Sequence, residues 1–245
     1  MDIITAPSYE AMSEAAANQI IDLVKHNPHS VLGLATGGTP TKMYELLIKD
    51  HLAHHTSYKN VTSFNLDEYA GLKKDHPNSY FSYMNQTLFM HLDIQQQHTF
   101  IPNGIAESLE KECARYDQLL QDMGPIDLQV LGLGENGHIG FNEPGTSFES
   151  ETHIVRLTES TRHANARFFG SMDEVPTHAV TMGIKSIMKA KEILLLVSGE
   201  NKKNALERLL DGPVSEDFPA SILKKHPKVK IIADKSAYSR TNIIA

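Results

Sequence analysis

The chain has 245 residues, enough for one large domain with a single hydrophobic core. Its 23 Lys and Arg are outnumbered by 30 Asp and Glu, and the net charge of −7 argues against the basic surface on which nucleic-acid binding depends. Hydrophobic residues make up 40% and charged residues 22%, which excludes a largely disordered chain.

Short aliphatic runs alternate with longer amphipathic segments. The aliphatic runs predict strands buried on both faces, and apolar residues at helical spacing predict helices between them. The predicted strands are residues 30–35, 61–66, 126–133, 179–182, 192–197 and 229–233, and the predicted helices are residues 9–25, 41–49, 78–91, 106–123 and 201–210. This order predicts an α/β fold with a mainly parallel sheet between helices, formed by residues 1–245 as a single domain.

Three features predict a cytoplasmic protein with no membrane partner. The longest wholly apolar run, residues 193–197, is far shorter than the ~20 residues needed to cross a bilayer. The first residues, MDIITAPSYE, lack the basic and apolar regions of a signal peptide. Cys113 has no second cysteine with which to form a disulfide, and we interpret it as a small buried hydrophobe.

One connection is unusually long. More than forty residues, from Gly134 to about His178, separate two predicted strands, whereas connections in compact domains usually have ~4 to 6 residues. Connections of this length are commonly lids or binding loops. We therefore expect functional residues within it.

A glycine loop follows the first predicted strand, in the segment ATGGTP. Its two glycines allow a close backbone approach to a ligand, and the N–H groups at the start of the next helix attract anions. The segment lacks the P-loop lysine and the GxGxxG pattern, so it predicts a phosphate site of another kind. The alternative is an ordinary tight turn between a strand and a helix.

Acidic residues follow the second predicted strand, in the segment FNLDEYAG. Ligands of open α/β sheets bind at the carboxyl ends of strands, so Asp67 and Glu68 should project into or beside the same crevice as the glycine loop. A carboxylate there could serve as a general base. Alternatively, Asp67 could simply cap the next turn.

The strongest motif is LGLGENGHIGFNEPG, at residues 131–145, just past another predicted strand. Its five glycines bring the backbone close to a ligand, and His138 can exchange protons near neutral pH. Glu143 could hold the imidazole in one tautomer, as the carboxylate of a catalytic triad does. The alternative is a structural histidine that caps the loop.

Cationic and histidine-rich segments complete the candidates. Arg167 and Lys202 could neutralise a bound phosphate, although most such side chains only contact solvent. The histidines of the HLAHH segment, residues 51–55, have helical spacing, but a solvated helix end explains them better than a metal does. We expect no metal.

The segments ATGGTP, FNLDEYAGL, LGLGENGHIGFNEPG, THAVTMGI and SGENK follow one another along the chain. In this order they resemble the glucosamine-6-phosphate deaminase family, nearly from end to end. The resemblance implies a Rossmann-like three-layer α/β/α fold and conversion of D-glucosamine 6-phosphate and water to D-fructose 6-phosphate and ammonia. That reaction has no redox change and needs no electron sink, so we expect no nicotinamide, flavin or pyridoxal cofactor.

The resemblance also implies roles for individual residues. Asp67 would be the base that moves a proton from C2 to C1, and His138 would assist opening of the pyranose ring. Glu143 and Asn136 would form the relay of His138. Asn136 replaces an aspartate of some members, so we interpret its role as orienting, because an amide does not titrate. The implied substrate-binding residues are Thr36, Gly37, Gly38, Thr39, Arg167 and Lys202, with the last two at the phosphate.

Residues 145–176 are implied to form a lid that brings Arg167 to the phosphate. Some larger members of the family are hexamers activated by N-acetylglucosamine 6-phosphate. Residues 150–155 read SETHIV where those members carry basic allosteric contacts. We therefore expect a monomer or small homo-oligomer that binds a sugar phosphate, and no allosteric hexamer.

Two other functions stay open at this point. 6-Phosphogluconolactonases resemble the chain in fold and in the glycine-histidine loop, although the run at residues 141–144 favours the deaminase. A catalytically silent sugar-phosphate sensor would need the phosphate cradle, but not Asp67, His138 and Glu143. Ammonia release, lactone hydrolysis and binding without turnover distinguish the three.

Overall fold

The computed structural model describes residues 1–238, which contain ten strands and seven α-helices. The strands are β1 (Asp2–Ala6), β2 (Val31–Leu34), β3 (Thr62–Asn65), β4 (Asp67–Tyr69), β5 (Thr99–Phe100), β6 (Leu128–Gly132), β7 (His153–Arg156), β8 (His178–Thr181), β9 (Ile193–Val197) and β10 (Val229–Asp234). The helices are α1 (Tyr9–His26), α2 (Gly38–His54), α3 (Tyr80–Thr87), α4 (Leu109–Met123), α5 (Glu159–Ala166), α6 (Ile184–Ile187) and α7 (Lys203–Asp211).

Seven strands form one sheet in the order β1-β10-β9-β6-β2-β3-β5, and every neighbouring pair is parallel. The chain extends this sheet from β2 through β3 to β5 on one side, and from β6 through β9 to β10 on the other. The direction of winding therefore changes between β2 and β6. Ligand crevices of open α/β sheets form at such a point.

Both faces of the sheet are covered, as the uninterrupted apolar runs predict. In β9, Ile193, Leu195 and Val197 belong to one buried cluster, which also contains residues of α4 and α7. Leu194 and Leu196 point to the opposite cluster, which contains residues of α1 and α2. Successive strand residues alternate between faces, so helices on both sides complete three layers. The predicted α/β/α class is confirmed.

A second, smaller sheet lies at the carboxyl edge of the first. Its strands β4, β8 and β7 are antiparallel, with Asp67 opposite Thr181. Residues 179–182 were expected in the parallel sheet, and this expectation is wrong. Only Leu66 separates β3 from β4, and its carbonyl accepts the Met182 amide at 2.7 Å, so β8 is held at the edge of the main sheet. A buried apolar run predicts a strand without naming its partner.

Six elements were not predicted from the sequence, namely β1, β4, β5, β7, α5 and α6. β1 and β5 are edge strands, β7 is only partly buried, and α5 is a polar helix without an apolar stripe. The Thr158 side chain, which caps α5 by accepting the Thr161 amide, marks its start. The long connection at residues 134–178 therefore contains its own strand and helix.

Cys113 is buried, as expected for a small hydrophobe. Burial, reinforced by nearby acidic residues, raises the pKa of its thiol to about 11, so the thiol stays protonated at neutral pH. Within residues 1–238, no helix has both the length and the apolar character needed to span a bilayer.

Candidate active site

Four adjacent strands deliver most of the predicted site residues to one cavity, whereas Asn136 and Glu143 lie behind its wall and do not line it. Lys202 follows β9, His138 follows β6, the glycine loop follows β2, and Asp67 follows β3. Because parallel strands end at the same edge, these segments meet although they are distant in sequence. The cavity has a volume of about 230 Å³ and is lined by Ala35, Thr36, Gly37, Thr39, Leu66, Asp67, Tyr80, Gly132, Leu133, Gly134, His138, Gly140, Phe141, Thr161, Asn165, Arg167 and Lys202.

The glycine loop presents an uncapped helix start to the cavity. Gly37 has φ 100°, a conformation that favours glycine, and no side chain caps the first turn of α2. The carbonyl of Gly37 accepts hydrogen bonds from the hydroxyls of Tyr83 at 2.7 Å and Thr41 at 3.0 Å. These bonds hold the loop with its free N–H groups available to an anion. Gly38, the first residue of α2, was predicted to bind substrate but does not line the cavity.

Asp67 lies on the cavity wall and is 5% exposed. Burial, reinforced by the charge of Glu68 and opposed by the Phe141 amide, raises its pKa from 3.8 to about 8. The neighbouring Gly140 has φ 58°, and a Cβ there would lie 3.4 Å from Asp67 Oδ2, so glycine leaves room beside the carboxyl group. Asp67 is therefore a carboxylate of high basicity that opens into a confined space.

Asp67 and Glu68 were expected in or beside the crevice, and of the two only Asp67 lines the cavity. The Glu68 carboxylate accepts the backbone N–H groups of Tyr69, Tyr80 and Phe81, each at 2.9 Å. Adjacent residues of a strand point to opposite faces, so β4 directs Asp67 inward and Glu68 toward the start of α3.

Asn136 orients His138 directly, and Glu143 in turn contacts Asn136. The Nδ1 atom of His138 is 2.8 Å from Asn136 Oδ1 but 3.7 Å from Glu143 Oε2. The amide nitrogen of Asn136 donates to that Glu143 oxygen at 2.8 Å. A carboxylate only accepts, so the amide oxygen of Asn136 must face the ring and Nδ1 must carry the proton. In the neutral ring, Nε2 then carries no proton and can accept one.

The Glu143 carboxylate receives further hydrogen bonds from the long connection. Thr158 donates to Oε1 at 3.2 Å, and the hydroxyl of Thr161 donates to the same oxygen. Three donors thus fix the carboxylate behind Asn136. Burial lowers the pKa of His138, with Glu143 opposing and Lys202 assisting the shift, so the ring is neutral at neutral pH.

Two cations face the uncapped helix start. Burial lowers the pKa of Lys202, and the positive charge of Arg167 contributes to the same shift. Arg167 is the residue that caps the carboxyl end of α5, and its guanidinium lies 4.8 Å from the centre of the Phe168 ring. Both side chains line the cavity beside Thr36 and Thr39. Together these groups form a site for a doubly charged anion.

Sequence reasoning missed several residues of this cavity. Tyr80 forms part of its wall and stacks on Phe141, with ring centres 6.0 Å apart. Thr161 and Asn165 reach it from α5. The spacing of Thr161 and Asn165 ahead of Arg167 places all three within one helical segment, which is the only signal that could have found them. Nothing in the local sequence of Tyr80 indicates a ligand site.

The fold and the cavity define a class of protein: an α/β/α protein whose sheet edge carries a cavity with a buried carboxylate, a neutral imidazole and two cationic side chains. Residues 6–232 match the family model of the glucosamine-6-phosphate isomerases and 6-phosphogluconolactonases. The chain belongs to this family. The resemblance seen in its motifs is thereby confirmed.

Comparisons with individual proteins agree. A glucosamine-6-phosphate deaminase of Halalkalibacterium halodurans is 58% identical over 99% of both chains. Glucosamine-6-phosphate deaminase 1 of Bacillus subtilis is 53% identical over 98% of this chain and 99% of its own. A solved structure described as a monomeric glucosamine-6-phosphate deaminase superposes with a TM-score of 0.96 at 53% identity, covering 98% and 99% of the two chains. A 6-phosphogluconolactonase of Trypanosoma brucei shares the fold, with a TM-score of 0.78 at 20% identity over 96% of this chain and 97% of its own.

Proposed function

We propose that the protein converts D-glucosamine 6-phosphate and water to D-fructose 6-phosphate and ammonia, as the names of its close relatives suggest. The observation that carries the proposal is the position of Asp67 and His138 on one cavity wall beside an anion cradle. An aldose-ketose isomerisation needs this combination. One group must open the ring, a second must move a proton between C1 and C2, and a third must hold the phosphate.

The direct test incubates the purified protein with glucosamine 6-phosphate and follows fructose 6-phosphate and ammonium together. Equal amounts of both products are expected. Hydrolysis of 6-phosphogluconolactone without ammonium release would assign the lactonase function instead. Binding of the amino-sugar phosphate without turnover would indicate a sensor, and either result would reject the proposal.

The phosphate is proposed to bind between the glycine loop and the two cations. The free N–H groups at the start of α2 and the hydroxyls of Thr36 and Thr39 donate hydrogen bonds, while Lys202 and Arg167 supply charge. The lowered pKa of the half-buried Lys202 would rise when a phosphate dianion approaches, because the anion stabilises the protonated amine. The phosphate end therefore anchors the sugar across the cavity from Asp67.

Lys202→Met is expected to raise KM about 10- to 100-fold, because a hydrogen bond to a charged group contributes ~1.5 to 3 kcal/mol. Lys203→Met is the matched control, since Lys203 is the next residue but does not line this cavity. Steady-state kinetics of both variants measure the effect. A KM for Lys202→Met within about threefold of the control, less than ~1 kcal/mol, would place the phosphate elsewhere.

His138 is proposed to open the pyranose ring. Its Nε2 atom is free to take the proton of the C1 hydroxyl, and the resulting imidazolium returns a proton to the ring oxygen O5 as the C1–O5 bond breaks. Nδ1–H stays bonded to Asn136 throughout, and Glu143 stabilises the transient positive charge through that amide. Asn136 and Glu143 thus act through His138 as positioning residues.

Asp67 is proposed to carry the proton between the carbon atoms. The carboxylate removes the C2 proton of the open-chain aldehyde while O1 takes up a proton, which gives an enolamine. The same C2 proton then goes to C1 as the nitrogen loses a proton, which balances the proton gained by O1. The C2 imine that results adds water and releases ammonia, so that the C2 carbonyl of fructose 6-phosphate forms. No electron leaves the substrate, so the reaction needs no redox cofactor. The absence of a metal and of an organic cofactor stays a prediction.

We propose that residues 145–176 act as a lid over this cavity. Helix α5 joins both halves of the site, since Thr158 and Thr161 at its start contact Glu143 while Arg167 caps its end. The guanidinium of Arg162 holds the far side of the segment through carbonyls of Met172 at 2.9 Å and Val175 at 3.0 Å. A phosphate that attracts Arg167 would therefore also tighten the contacts around Glu143.

Hydrogen exchange tests the lid. Amides of α5 are expected to exchange at least several-fold more slowly when a non-isomerisable substrate analogue is bound, because closure protects them. Amides of α1, no residue of which lines the cavity, serve as the internal control and should not change. Equal exchange of α5 with and without the analogue would contradict closure.

The expected assembly is a monomer or small oligomer, and a solved relative at 53% identity is described as monomeric. We propose that this chain acts as a monomer as well, because it is so similar to that relative in sequence and fold. The predicted cytoplasmic location stays a prediction.

A further inference from the structure

Glu68 connects two elements that form opposite parts of the site. Its carboxylate, which is 3% exposed, accepts N–H groups of Tyr69 on β4 and of Tyr80 and Phe81 at the start of α3. A buried carboxylate with three donors at 2.9 Å is held in one position, and so are the groups that donate to it. Strand β4 also carries Asp67.

Helix α3 extends this connection to the glycine loop. One turn after Tyr80, the hydroxyl of Tyr83 donates to the carbonyl of Gly37 at 2.7 Å. Tyr80 itself forms cavity wall and stacks on Phe141, which follows the histidine loop. The position of α3 thus sets the position of the loop that would bind phosphate.

We propose that Glu68 is a positioning residue that assembles the site, because its carboxylate fixes the strand of Asp67 relative to α3 and, through Tyr83, to the glycine loop. The inference rests on the proposed function and deepens it. It assigns a role to an acidic residue that does not touch the cavity. Removing its charge should therefore disturb two distant parts of the site at once.

The charge of Glu68 also acts on Asp67. It is the second cause, after burial, of the raised pKa of that carboxyl group. The buried phenols near Asp67 have raised pKa values and stay neutral. The titratable and charged groups around Asp67 are Glu68, Tyr69, Tyr80 and Tyr116, with His138, Arg167 and Lys202 lining the same cavity.

Glu68→Gln is the principal test, because the amide has the same size but no charge and cannot accept all three N–H groups. Two measurements do not require turnover. One is the pH titration of Asp67, monitored by carbon-13 NMR of its carboxyl group, and the other is the Kd of inorganic phosphate. We expect the Asp67 midpoint to fall by about one pH unit and the phosphate Kd to rise about fivefold or more. The rising limb of kcat/KM against pH should move to lower pH by the same amount, because Asp67 then loses its proton more readily.

Two further variants separate the effects. Tyr83→Phe removes the hydroxyl that bonds Gly37 and Thr41 at the glycine loop, so it should weaken phosphate binding while the Asp67 midpoint stays in place. Glu112→Gln changes another buried carboxylate, which accepts the Asn103 amide and pairs with Arg115, and should alter neither readout. Together they distinguish a local effect on the glycine loop from a general loss of stability.

The proposal is overturned if folded Glu68→Gln keeps the wild-type phosphate Kd, or if its Asp67 midpoint lies within about 0.3 unit of wild type. Both shifts in Glu68→Gln, with neither in Glu112→Gln, support it. Absence of turnover in the wild-type protein would reject the proposed function alone, because the NMR titration and the phosphate Kd would still report on Glu68.

Discussion

Asp67→Asn is expected to lower the rate of deamination about 10³-fold or more, within the range that a positioned general base contributes. Asparagine has the size of aspartate but cannot take the C2 proton. Exchange of that proton with solvent should be lost in parallel, while inorganic phosphate still binds at the glycine loop. Product formation, exchange in deuterated water and the phosphate Kd measure the three effects. Turnover within about tenfold of wild type would rule out Asp67 as the base, because that loss is smaller than a general base provides.

A stability measurement tests whether the loss of activity in Asp67→Asn arises from unfolding. The pKa of Asp67 rises from 3.8 to about 8 on folding, so the folded state binds the proton more tightly than the unfolded chain does. Stability therefore decreases as the pH rises from about 4 to 8, where the buried group must ionise. Asp67→Asn avoids this cost and should melt at a higher temperature than wild type at pH 8, with the difference disappearing near pH 4. The exposed Asp122→Asn variant is the control and should show neither effect.

His138→Ala is expected to lower kcat/KM by about 10²- to 10³-fold, because ring opening loses its acid and base. The substrate must then open without help before Asp67 can act. Added imidazole should restore part of the activity, since it can enter the vacated space and exchange protons at O1 and O5. The rescue should increase with the fraction of neutral imidazole and therefore with pH near 7.

The control for this variant is His54→Ala, whose side chain is 71% exposed and bonds Asp50 far from the cavity. It should retain wild-type kinetics with or without imidazole. A tenfold or smaller loss in His138→Ala, or a loss that imidazole does not relieve, would contradict ring opening by this histidine.

The candidate residues could be predicted largely from local sequence. The glycine loop, Asp67 and the histidine loop each follow a buried strand, and parallel strands end at one edge, so their meeting in one cavity followed from the order of elements. Lys202 follows the neighbouring strand β9 for the same reason. The prediction succeeded where the controlling physics is short-range: apolar runs, glycine conformations and free N–H groups at helix starts.

The contacts among these residues were harder to predict from the sequence. The residues alone suggested that Glu143 could hold His138, and the resemblance added Asn136 as an orienting residue of the relay; the structure places the Asn136 amide between them, closer to the ring. Glu68 was expected beside the crevice, yet it turns to α3. Both differences depend on side-chain direction, and direction follows from the strand pairing of β4 and the fold of the loop.

By itself the sequence determined the layered fold, the strand ends that carry function and the chemical groups available there, because these follow from hydrophobic pattern and residue chemistry along a few neighbouring positions. Only the tertiary structure decided which strand joins the small antiparallel sheet, which carboxylate faces the cavity and how Glu143 reaches His138. Those outcomes depend on pairs of residues far apart in the chain, whose contacts form only when the whole sheet and its helices are packed.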